Sequence, residues 1–96
     1  MAAKIRQKVV VPDNAPTRIV VCTGAFVFIG EYHYDKEAGI VRLRNAHNVR
    51  RYGTTAGLGQ LALNGPQEKT ILDFWGVVDI PWHSVIGTLL CTWSPE

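Results

Sequence analysis

The side chains best suited to chemistry fall in one run. Arg42, Arg44, Arg50 and Arg51 are four of the ten Lys and Arg residues, and they are interleaved with Asn45, His47 and Asn48 and followed by Tyr52. Guanidinium groups grip phosphate and carboxylate through paired N–H donors, and amide, imidazole and phenol groups bond anions or bases. Gly53, Thr54 and Thr55 come next. A helix starting near Thr55 would aim free backbone N–H groups at whatever the arginines hold. The candidate contacts to a small anionic nucleotide are therefore Arg42, Arg44, Asn45, His47, Arg50, Arg51, Tyr52, Thr54 and Thr55. The competing reading is a solvated face, with the arginines paired to Asp or Glu and with Gly57 and Gly59 serving only helix packing.

Nothing comparable suggests catalysis. The chain has no Gly-x-Ser-x-Gly elbow, Walker loop, His-Glu-x-x-His helix or Asp-x-Asp calcium loop, each of which would supply a defined nucleophile, phosphate cradle or metal ligand set. His33 and His47 would start a metal site if they met across a hairpin, but scattered histidines more often serve as plain hydrogen-bonding groups. The expectation is a non-enzyme with no metal and no cofactor. Cys22 and Cys91 lack both the density of a disulfide scaffold and zinc-ligand spacing, and read as reduced thiols packed as small hydrophobes.

The positioning elements read mainly as strands. From Ile40 the run alternates apolar and basic residues, so a strand would send Val41 and Leu43 to a core and Arg42 and Arg44 to the other face. Residues Arg18 to Tyr52 form bent strands and a hairpin whose charged turn ends at Gly39. Gly30, inside an aromatic and β-branched stretch, marks a bulge or sharp bend. Pro12 to Pro16 breaks any ladder before them, and Met1 to Val11, with Lys4, Arg6 and Lys8 on alternate positions, is an edge strand or arm. Thr54 to Asn64 is a short helix stopped by Asn64, Gly65 and Pro66, weakened by about 1 kcal/mol at each of Gly57 and Gly59. Thr70 to Trp93 supplies the C-terminal strands, the last apolar on both faces.

Ninety-six residues, 47% hydrophobic and 19% charged, suit one folded domain. A net charge of +2 is too mild for coating nucleic acid non-specifically, so anion binding has to come from local clustering. No apolar run approaches the roughly 20 residues of a membrane span, and the N-terminus lacks the apolar core of a secretory signal. A cytoplasmic protein without membrane contact is expected. The exposed edges at Lys4 to Val11 and His83 to Trp93 predict a homo-oligomer.

These elements amount to a mainly β, small SH3-like or Sm-like barrel of five to six strands with one short inserted helix. The bent pair Phe26 to Tyr34 and Ile40 to Tyr52 is similar to the second and third strands of the Sm-like fold, which commonly assembles into rings and binds RNA near the end of its third strand. A wider resemblance runs through Ile40 to His47, Gly57 to Gly65 and Val85 to Thr92. It covers about Arg18 to Thr92 and resembles a family of small, functionally uncharacterised proteins of tailed bacteriophages, with His47 standing where the pattern has an Arg. The resemblance implies a viral origin and a host cytoplasm, with no assigned activity. The resulting expectation is a non-enzymatic phage accessory protein, a host-defence antagonist that binds and sequesters a small phosphorylated nucleotide. The alternatives are an Sm-like RNA-binding ring protein and a structural or assembly component of the virion.

Overall fold

Val27–Asp35 (β2) and Ile40–Arg51 (β3) form the antiparallel hairpin around which the sheet is built. Its turn closes where Gly39 adopts φ 68° and its N–H reaches the Asp35 carbonyl at 2.9 Å. The Asp35 carboxylate accepts the Ala38 N–H, also at 2.9 Å. The computed structural model describes residues 11–95. Of the stretch Met1 to Val11, expected as an edge strand or arm, all but Val11 lies outside the described residues.

Thr17–Cys22 (β1) pairs with β2 on one side and with Val85–Leu90 (β5) on the other, while Ile71–Pro81 (β4) pairs with β3. The result is one five-stranded antiparallel sheet in the order β4-β3-β2-β1-β5. The fold is mainly β with one inserted helix, Gly57–Asn64 (α1), as expected. The sheet is not closed. Its two ends, β4 and β5, are joined by the short 3-10 turn Trp82–Ser84 without a ladder between them, so both outer edges stay unpaired among the described residues.

Gly30 does mark a bulge. Ile29 faces His47 and Glu31 faces Arg44, so two residues of β2 span three of β3, and the extra residue is Asn45 with φ 54°. A Cβ on Gly30 would sit 3.1 Å from the Arg44 carbonyl oxygen and from Leu43 Cβ. On the far side of β3 the ladder shifts again, between Leu43 and Ala46, opposite Gly76 with φ 83°. Both disruptions meet at Asn45 and allow the sheet to bend there.

The two faces of the sheet gather the apolar side chains into two clusters. The first contains Val20, Cys22, Phe28, Val41, Leu43, Ala46 and Ile80. The second contains Ile19, Val27, Ile29 and Val49 from the sheet with Leu61 and Ala62 from α1. Ile19 and Val20 are neighbours in sequence and belong to different clusters, so β1 is buried on both faces, as an inner strand must be when each face is covered. The helix begins at Gly57, three residues later than the sequence pattern places it, because the Gln60 side chain folds back over the preceding turn. Its C-terminal carbonyls are met by the end of the chain. Trp93 Nε1 donates to the Leu61 carbonyl at 2.7 Å, and the Thr92 N–H and hydroxyl donate to Ala62 and Leu63 at 3.0 and 2.9 Å. Those bonds satisfy acceptors that a short helix otherwise leaves to solvent.

Candidate functional site

The arginine run does not form one open ridge. Val41 and Leu43 face the first cluster, and beyond the Asn45 bulge Val49 faces the second. Side-chain alternation therefore puts Arg42 and Arg44 on one side of β3 and Arg50 on the other. Arg42 chelates Asp79 through Nε and Nη2 at 2.6 and 2.7 Å. This bond holds the Asp79 carboxyl below the usual carboxylate range and raises Arg42. Arg44 grips Glu31 at 2.8 and 3.3 Å and reaches the Val11 and Pro12 carbonyls at 3.1 and 3.3 Å, fastening the incoming chain to the sheet. Arg50 grips Asp73 at 2.9 and 3.2 Å. Each of these three guanidinium groups is thus paired to a carboxylate on a neighbouring strand.

Arg51 differs. It is exposed at the end of β3 and has no carboxylate partner among the described residues. Tyr52, also exposed, follows it. The next turn is tight because Gly53, at φ 66°, packs directly against the segment leading into β4, where a Cβ would collide with the Lys69 and Thr70 backbone. The Tyr52 carbonyl accepts the Thr70 hydroxyl at 2.6 Å, and the Thr54 hydroxyl donates to the Gly57 carbonyl at 2.8 Å. The amides before α1 are partly engaged. Thr55 and Ala56 N–H groups both donate to Gln60 Oε1, at 3.1 and 2.7 Å.

Asn45 and His47 lie beside the C-terminal segment. Asn45 Nδ2 donates to the Pro95 carbonyl at 3.0 Å, and the Asn45 carbonyl meets His47 Nδ1 at 3.2 Å. His47 is 7% exposed, with its ring edge-on to Phe74 at 5.2 Å. It lines a groove of ≈ 480 Å³ with Pro66, Leu72, Trp93, Ser94 and Pro95. His33 lies opposite Arg42 and His47 opposite Ile29, so the hairpin does not bring the two histidines face to face.

A second groove, ≈ 410 Å³, lies between β4 and the end of β1, with Cys22, Phe28, Val78 and Ile80 in its lining together with the exposed Phe26 and Trp75. Phe28 packs edge-on to Trp75 at 5.2 Å and lies parallel to Phe26 at 6.2 Å. Sequence reasoning treats each Trp as core by default. Trp75 and Trp82 are instead about half exposed, and Trp82 stacks on Tyr34 at 4.3 Å. The signal available in the sequence was the aromatic pair Phe74 and Trp75 in adjacent positions, one of which must leave the core of an alternating strand. Both thiols are free, and burial pushes Cys22 and Cys91 up from the ordinary thiol value. Among the described residues no helix is long and apolar enough to cross a membrane.

Comparison with known protein families and with curated proteins finds no match.

Proposed function

We propose that this protein is a non-enzymatic phage accessory protein that binds and sequesters a small phosphorylated nucleotide, a signal of host defence, and that it works as a homo-oligomer. The observation that carries the ligand reading is Arg51, an exposed guanidinium without a carboxylate partner among the described residues, beside Tyr52 and the tightly packed turn at Gly53. A charge-assisted contact from such a group contributes about 1.5 to 3 kcal/mol when the site is preorganised. Assembly is supported by the two unpaired edges, where Phe74 and Val77 on β4 are 67% and 60% exposed and Ile86 on β5 is 68% exposed. An edge strand that exposes large apolar side chains is a template for another strand, and β5 carries no charged residue at all.

The test is a thermal-shift panel of mono-, di- and cyclic nucleotides and short RNAs on the wild type, Arg51→Ala and Arg42→Ala. One or two nucleotides should raise the melting temperature, since a ligand at 100 times its Kd stabilises by about 2.7 kcal/mol. Arg51→Ala should lose that shift and Arg42→Ala, whose guanidinium is held by Asp79, should keep it. RNA binding that falls steeply with salt and weakens by similar steps in both variants supports the RNA-ring reading instead. Light scattering should give a multiple of 10.6 kDa for the wild type, reduced by Ile86→Lys. A monomer at all concentrations overturns the assembly proposal.

A further inference from the structure

We infer that the groove between β3 and the C-terminal segment is a binding site for a flat heteroaromatic ring bearing an N–H donor, of nucleobase size, with His47 Nε2 as its acceptor. The inference rests on the nucleotide reading above and supplies that ligand with a second contact, away from the arginines.

The geometry around Asn45 points this way. Its backbone carbonyl faces His47 Nδ1 at 3.2 Å. A carbonyl only accepts, so in the neutral imidazole the proton sits on Nδ1 and the lone pair on Nε2. No hydrogen bond to Nε2 is made by the described residues, although the side chain is more than nine-tenths buried. Among the described residues no polar side-chain atom is both buried and unsatisfied, so Nε2 keeps access to solvent, and His47 lines this groove. The same Asn45 fixes the opposite wall, because its Nδ2 holds the Pro95 carbonyl at 3.0 Å.

The remaining lining is already engaged or apolar. The Trp93 indole is fixed by its bond to the Leu61 carbonyl, and the Ser94 hydroxyl shares a 2.6 Å hydrogen bond with Thr17. Pro66 and Leu72 offer only apolar surface. An imidazole acceptor among indole, proline and leucine surfaces suits a ligand that is flat and apolar over its faces and carries a donor on its rim. A groove of ≈ 480 Å³ falls within the size range of small-molecule sites. Arg51 lies four residues farther along β3, roughly 13 Å at about 3.3 Å per residue, the scale of one nucleoside diphosphate.

The experiment is a titration of the full chain, labelled with ¹⁵N at histidine, using three probes without phosphate (adenine, hypoxanthine and uracil) and, separately, inorganic phosphate. At least one base should shift the His47 Nε2 resonance saturably, with His33 and His83 as internal controls, and phosphate alone should leave it in place. His47→Phe should weaken binding of that base at least tenfold, and His47→Gln, which restores an acceptor, should recover part of it. If no base moves His47 Nε2, the inference is overturned even when nucleotides stabilise the protein through Arg51, an outcome that leaves the ligand reading standing. If a base binds His47→Phe as tightly as wild type, it is likewise overturned. The wild-type titration decides the matter if either variant fails to fold.

Discussion

The two apolar clusters draw on the same inner strands and end differently. The second is covered on its outer side by α1, where Leu61 is fully buried, and then by the chain end, whose Trp93 and Thr92 hydrogen-bond to that helix. Among the described residues the first is met by no helix, and beside it a groove between β4 and the end of β1 leaves Trp75 51% exposed. Sheet faces bury apolar side chains only where another layer lies over them. The difference teaches that the inserted helix and the last five described residues act as one layer, and that where no such layer lies a groove with exposed aromatic side chains remains.

The comparison breaks most severely at Gly53, which ties the sealed end together. With φ 66° and no room for a Cβ against Lys69 and Thr70, Gly53→Ala should cost about 3 kcal/mol or more in urea unfolding. Gly87→Ala, on the open edge where a Cβ meets nothing within 4 Å, should be close to neutral. Equal losses at the two positions would refute the contrast.

Core truncation sharpens the same point. Leu61→Ala, at a fully buried position beneath the tail, should lose about 2 to 5 kcal/mol. Trp75→Ala removes a larger side chain, but half of it is in water, so the loss should be about 1 to 2 kcal/mol, mainly its contact with Phe28. A Trp75 loss that grows with protein concentration in the wild-type reference would show the groove covered by a second copy.

The smallest effect belongs to the charge pairs. Arg42→Ala should cost about 0.5 to 1 kcal/mol at neutral pH, because Asp79 is well exposed and the pair is screened. The folded state holds the Asp79 carboxyl below its ordinary value, so the pair's contribution is present above the unfolded Asp range, about 3.9, and disappears as pH falls through the lower folded value. Stability curves of wild type and Arg42→Ala should therefore converge in acid. Divergence there would mean that Arg42 acts through packing alone.

Much of the element pattern was legible because it is local. Alternation fixes which residues of Ile40 to Arg44 face a core, Gly30 without a Cβ permits the bulge, and Asn64 with Gly65 ends a helix, each through the properties of a few neighbouring residues. The fate of the candidate site was not local. Alternation carried through β3 would put Arg42, Arg44 and Arg50 on one face, yet the extra residue at Asn45 reverses the facing of the residues after it, since a shift of one residue moves side chains to the other side. Asn is among the few residues that adopt positive φ readily, a hint visible in the sequence but without meaning until Gly30 and Gly76 are seen beside it. The carboxylates that take up Arg44, Arg50 and Arg42 stand 13, 23 and 37 residues away, and only strand register selects them from the other acids. The groove beside His47 depends on Pro95, 50 residues from the Asn45 that holds it. Composition and periodicity determine what each segment of this protein becomes; the pairing of strands alone decides which charges are cancelled, which arginine is left open, and what lies opposite the histidine.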